Sequence, residues 1–83
     1  MPAVLRVGGF RVMIYPPPRE HRPPHVHVFN SDGEVVIELA SGQRPQGIRR
    51  VSGMRESDAW IAFRIVALHT SLLNRLWREY HED

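Results

Sequence analysis

The sequence predicts a small α+β domain, with a four-stranded, mostly antiparallel sheet of two hairpins and one long C-terminal helix packed on its apolar face. Three observations carry that expectation. Two pairs of β-rich runs are each split by a two-residue turn signal, Gly8-Gly9 and Asp32-Gly33, the shortest connection between antiparallel strands. A proline-rich stretch separates the pairs, and from residue 54 onward apolar residues recur at threes and fours, the period of a helix with one buried side. With 83 residues, 42% of them hydrophobic, the chain reads as one domain over 1–83 with a thin core.

The first hairpin covers residues 1–15, with Ala3 to Val7 facing Phe10 to Tyr15. A primed turn at Gly8-Gly9 sets Val7 against Phe10, Arg6 against Arg11, Leu5 against Val12 and Val4 against Met13. Ala3, Leu5, Val7, Phe10, Val12 and Ile14 then share an apolar face, while Arg6, Arg11 and Tyr15 look the other way. Residues 16–24 hold five prolines, which lack ladder donors, so this stretch is an extended loop. The second hairpin covers 25–39. With Asp32-Gly33 central in a type I′ turn, Asn30 opposes Val35, Phe29 opposes Val36, Val28 opposes Ile37, His27 opposes Glu38 and Val26 opposes Leu39. Residues 40–53, rich in Gly, Pro, Gln and Arg, form a connection with room for a short strand at Ile48 to Val51. The helix spans 54–81, with Ala59, Ala62, Phe63, Val66, His69, Leu73, Leu76, Trp77 and Tyr80 along its apolar side. It should cover the apolar side of the sheet and leave the His and Arg side open.

All eleven basic residues are Arg, against nine acidic ones, for a formal net charge of +2. That excludes a polybasic arm coating DNA without specificity. Arg does bind phosphate and carboxylate in a planar, bidentate fashion, although a coding preference is the plainer explanation of an Arg-only composition. There is no Cys, so disulfides, thiolate zinc sites and a cysteine nucleophile are out of reach. Nowhere do eighteen apolar residues run together, and no basic start precedes a long apolar stretch, so a cytoplasmic location is expected.

Arg22-Pro23-Pro24-His25-Val26-His27-Val28 is the most informative stretch. If it leads into a strand, the period of two sends both imidazoles to one face, and imidazole changes charge near neutral pH. The hairpin registers add Glu38, Tyr15, Arg6 and Arg11 to that face, with Arg22 in the preceding loop. Arg6 opposite Arg11 is a like-charge cross-strand pair, which costs stability unless an acid or an anion sits between them. Glu38 could be that acid and a phosphate that anion. Two histidines, a carboxylate, arginines and a tyrosine are also what a metal-independent ribonuclease uses. His27, held by Glu38, would take the 2′-hydroxyl proton, His25 would protonate the leaving oxygen (or the reverse), and Arg would stabilise the phosphorane. An inert, solvent-facing strand face accounts for the same residues.

A metal site is the competing use of the pair, with Glu38 or His21 as third ligand. His-x-His is a weak signal by itself, so no metal and no cofactor are assigned. His69 lies in the apolar stripe and reads as a core or boundary residue. His81, in the last helical turn, suits the helix dipole. Trp60 falls on the polar side near the helix start, where an exposed aromatic marks a contact with another chain or caps the sheet edge.

Residues 1–15, the His21 to Val28 string and the helix end Leu73-Asn74-Arg75-Leu76-Trp77-Arg78-Glu79-Tyr80-His81 together resemble the small bacterial domain-of-unknown-function family numbered 4160. The resemblance spans nearly the whole chain and rests on Gly9, Tyr15, Pro24, His25, His27 and Trp77. It implies no established activity. It does imply a second small protein of unknown function encoded nearby, and such pairs are counted among candidate toxin–antitoxin modules, this family as the toxin. A toxin of this size suggests a ribonuclease, with RNA or an acidic antitoxin on the basic face. Two departures stand out: Arg55 and Asp58 replace the Ser and Glu of a helix capping box, and Glu38 lies where the family fixes no carboxylate.

Overall fold

The computed structural model describes residues 3–17 and 22–81. They form five strands and two helices in the order β1 (Ala3–Val7), β2 (Phe10–Met13), β3 (His25–Phe29), β4 (Glu34–Glu38), β5 (Gly47–Ser52), α1 (Glu56–Leu68) and α2 (Thr70–His81). The strands lie in chain order in one sheet, every neighbour antiparallel. The α+β expectation of four strands and one long helix is therefore corrected at two places.

The first correction is β5, where a connection was expected. Its two core-side residues, Ile48 and Val51, pair with Ile37 and Val35, while Arg50 pairs with Val36. Three residues separate Ile48 from Val51, so the alternation that marks a strand is broken in the sequence. A bulge at this point absorbs the extra residue, Arg49, and returns Val51 to the core side. The second correction is the break between α1 and α2 at His69 (φ −120°, ψ 25°). The His69 N–H donates to Val66 O at 3.0 Å, a tightened turn, and its Nδ1–H donates to Ile65 O at 2.8 Å. Thr70 Oγ1 donates to Ala67 O at 3.0 Å and Val66 O at 3.4 Å. Side chains thus take up the last carbonyls of α1, as Thr does when it competes with the helix ladder. The apolar spacing of threes and fours continues through the break, so periodicity could not reveal it.

The β1–β2 hairpin keeps the expected pairs Val7↔Phe10, Arg6↔Arg11 and Leu5↔Val12, and a bulge then sets Ala3 rather than Val4 opposite Met13. The β3–β4 register is shifted by two residues from expectation: His25↔Glu38, Val26↔Ile37, His27↔Val36, Val28↔Val35 and Phe29↔Glu34. The cause is the turn. Asn30 Oδ1 accepts the N–H groups of Asp32 (2.9 Å) and Gly33 (3.0 Å), and the Asn30 N–H donates to Gly33 O at 3.1 Å. This Asx-type turn lengthens the loop to residues 30–33. A slip of two preserves the faces, so Val26, Val28, Val35 and Ile37 still point to the core, joined by Val12, Ile14, Leu39, Ala59, Ala62, Val66, Leu73 and Trp77.

Arg55, the residue that precedes α1, makes no side-chain capping bond. Asp58 lies within 3.7 Å of Arg55 Nε and accepts from Asn30 Nδ2 at 3.4 Å, tying the first turn to the β3–β4 loop. α2 is anchored by Asn74, whose Nδ2 donates to Ala40 O at 2.8 Å, just beyond β4. No helix among the described residues is long and apolar enough to cross a membrane.

Candidate functional site

β3 places His25 and His27 side by side on the sheet face away from the core cluster, as the period of two requires, with ring centroids 5.4 Å apart. Their surroundings differ from a solvent-facing pair. His25 is 2% exposed and His27 9%. Tyr15 meets His27 edge-on at 4.9 Å, and His25 lies 5.1 Å from Trp77, which itself stacks on His81 at 3.6 Å. Five rings thus form a row from the second sheet face to the core-facing side of α2. His25 Nδ1–H donates to Pro23 O at 2.9 Å, and His81 Nδ1–H to Trp77 O at 3.1 Å. Trp77 Nε1 and His81 Nε2 are buried without a hydrogen-bond partner.

The carboxylate that holds His27 is Glu34, with Oε2 2.6 Å from Nδ1. Glu38, cast in that role from the sequence, stands opposite His25 in the ladder. Its carboxylate instead accepts from Arg49 Nε at 3.0 Å and Arg44 Nη2 at 3.5 Å. The hydrogen bond from Arg49 keeps the Glu38 carboxyl below its usual value, aided by the charges of Arg49 and Arg44 and opposed by partial burial. Glu34 also pairs with Arg50 at 3.6 Å. Both acids of this face are therefore committed. Among the described residues no three His, Cys, Asp or Glu side chains converge as a metal cage, and His21 lies outside those residues.

The expected open face holds at its other end. Arg6 and Arg11 are exposed and directly opposed. No ion pair involves either of them among the described residues. Arg11 lies over the Phe29 ring at 5.7 Å. Arg22 is also exposed, apart from this pair in sequence.

A second surface lies on the core side, where β5 forms a free edge of the sheet. An open groove of about 530 Å³ runs between β5 and the start of α1, lined by Ile48, Val51, Met54, Glu56, Ala59 and Trp60. Trp60 is 50% exposed and braced edge-on by Phe63 at 5.2 Å. Val51 and Ile61 are exposed nearby, so the apolar layer continues past the sheet edge instead of stopping at it.

A family model described as a domain of unknown function, DUF4160, matches residues 9–78. The chain belongs to the DUF4160 family. Neither the curated proteins nor the solved structures hold a match to it.

In this DUF4160 chain the fold brings together Tyr15, His25 and His27, and separately Arg6 and Arg11, but leaves Glu38 with the arginines of β5 and of the loop before it. Sequence reasoning missed three features. Glu34 was available to it: Asn30 at the head of the loop is an Asx-turn residue, and a four-residue loop brings Phe29 opposite Glu34. Trp77 meets His25 from α2, beyond the break at His69, which carries no periodic signal. The groove escaped because β5 hides behind its bulge, although Trp60, an apolar residue on the polar side of the helix, pointed there.

Proposed function

We propose that this DUF4160 domain is a protein-binding module that takes up an extended segment of a small partner protein encoded nearby. The observation that carries this reading is the apolar groove beside the free edge of β5, with Trp60 half exposed at its rim. An edge strand offers unpaired N–H and C=O groups, and a peptide that pairs with it sends alternate side chains to opposite sides. On the core side the guest would meet Ile48, Val51 and Trp60; on the other it would meet the exposed guanidinium groups of Arg49 and Arg50. The matching guest alternates apolar and acidic residues. A half-exposed Trp that the guest covers contributes about 2 kcal/mol, or about 30-fold in affinity. Titrating the isotope-labelled domain with the purified neighbouring protein should shift the β5 amides and the Trp60 indole, and Trp60→Ala should weaken binding by that factor. Shifts confined to the His25 and His27 strand, with Trp60→Ala binding normally, would sink the proposal.

A second reading is a toxin-like ribonuclease working through His25 and His27. The 2.6 Å contact of Glu34 with His27, beside Tyr15, supports it, because a carboxylate-held imidazole is a competent base. The burial of both rings weighs against it. Cells expressing the wild type beside His27→Ala decide the matter. Growth arrest with RNA cleavage by the wild type alone favours the nuclease, and normal growth with intact RNA and soluble protein removes it.

A further inference from the structure

We infer that the tip of the β1–β2 hairpin is a phosphate-binding site held by Arg6 and Arg11. The pair is directly cross-strand, an arrangement that repels and destabilises unless an anion lies between the charges. Among the described residues no carboxylate pairs with either guanidinium group. Glu34, the nearest acid in the ladder (Arg11↔Phe29↔Glu34), is held by His27 and Arg50, and Glu38 is held by Arg49 and Arg44. Among the described residues Arg44, Arg49, Arg50 and Arg55 have a carboxylate partner; of the arginines that have none, Arg6 and Arg11 are directly opposed across a strand pair.

The space between and around the two guanidinium groups is formed as a site. Arg6, Val7, Gly8, Gly9, Phe10 and Arg11 line a depression of about 340 Å³. Gly8 and Gly9 turn the chain with φ of +51° and +85°, and a Cβ on either would meet nothing within 4 Å, so a ligand has a clear approach to the turn. Arg11 is steadied over the Phe29 ring, which reduces the freedom lost when its planar fork engages a tetrahedral oxyanion. A phosphate group fits this chemistry, either as free inorganic phosphate or as the phosphodiester of a single strand. The site lies at the β1–β2 end of the sheet, away from the β5 groove, and stands whether or not the docking proposal does.

The test uses the full chain with arginine Nε signals resolved by NMR, titrated separately with inorganic phosphate and with a short single-stranded RNA of mixed sequence. In the wild type we expect Arg6 and Arg11 to shift together. In Arg6→Gln/Arg11→Gln, RNA affinity should fall at least about tenfold, and the slope of log K against log salt should become shallower by about 1.4, at about 0.7 per lost phosphate contact. Response to inorganic phosphate with no tighter binding of RNA supports the site with the free ion as its ligand; tighter binding of RNA supports the strand. If neither ligand moves these signals, or the double variant binds as the wild type does, the inference is overturned. Both side chains are exposed, so circular dichroism should show an unchanged fold.

Discussion

Gly33→Ala should be among the most damaging single-methyl additions in this protein. Gly33 closes the β3–β4 loop and lies against the junction between β5 and α1. A Cβ built there would stand 2.7 Å from Gly53 C and Met54 N and closer still to Ser52 O. Real Cβ atoms essentially never come within 3.0 Å of such neighbours, and all three are backbone, so no flexible side chain can yield. Relief requires moving the strand that forms the sheet edge or the turn that starts α1. Overpacking of this kind costs about 1–3 kcal/mol, and the backbone identity of the neighbours places Gly33→Ala near the top, at about 3 kcal/mol. For a domain of this size that lowers Tm by about 12–24 °C. Urea unfolding followed by tryptophan fluorescence reads the loss directly, with m unchanged if the denatured state is unaltered. Two other glycines separate sterics from conformation. Gly47→Ala meets nothing within 4 Å and should stay within about 0.5 kcal/mol. Gly8→Ala has open space but a φ of +51°, a left-handed conformation that costs about 1–2 kcal/mol with a Cβ. The order of cost should be Gly33, Gly8, Gly47; a Gly33→Ala loss within about 1 kcal/mol of Gly47→Ala would refute the close approach.

Exchanging acids tests the observed register of β3 and β4. Glu34→Gln should cost about 1.5–3 kcal/mol by urea unfolding at pH 7, since it removes a charged hydrogen bond from the buried His27; Glu38→Gln, whose partners are exposed arginines, should cost less, and the reverse order would favour the sequence-predicted pairing of His27 with Glu38 over the observed register. The Glu38 contribution should also be pH-dependent. Its folded pKa lies below the usual value of 4.5, so the stabilisation is fully present above that value and is lost as pH falls through the lower folded pKa. The Tm difference between wild type and Glu38→Gln should thus hold from neutral pH to about 5 and close in more acidic solution; a gap that widens there would contradict the pairing with Arg49. Asn74→Ala should cost about 1 kcal/mol by loosening α2 from Ala40, with no effect on the β5 groove by NMR.

Much of the fold was legible because the hydrophobic pattern has only two periods to choose between. Alternation assigned β1 to β4 and the correct faces in the two hairpins except at the start of β1, where a bulge sets Ala3 opposite Met13 and Val4 packs against the core; the shift in β3–β4 register left the faces intact because it was an even number. What the pattern could not carry was anything that changes the count without changing the period. A four-residue loop replaced a two-residue one, and an Asn side chain decided it. A bulge at Arg49 split the apolar residues of β5, and a helix break at His69 kept the spacing on either side. The arginine pair at the first hairpin was readable residue by residue, since a two-residue glycine turn leaves one register. The acid beside His27 was not, because its identity depends on the loop length two residues away.

The histidine pair shows how a sequence signal and its use can separate. Residues 23–25 supply the polar contacts that close this end of the sheet: the Leu39 N–H donates to Pro24 O at 2.9 Å, His25 donates back to Pro23 O at 2.9 Å, and its ring meets Trp77 of α2. The Leu39 bond joins the start of β3 to the end of β4, the His25 bond fixes its ring over the preceding prolines, and the ring contact ties it to the second helix; none of them requires a ligand. A pair of imidazoles built into such a joint is buried for the same reason a core residue is, whatever chemistry the residue type would allow in water. Exposure, not residue type, therefore ranks the surfaces of this chain. On that measure Trp60, half exposed beside the β5 edge, and Arg6 and Arg11, exposed at a hairpin tip with no ion pair among the described residues, are the surfaces open to another molecule, while His25 packs between the sheet and Trp77 of α2.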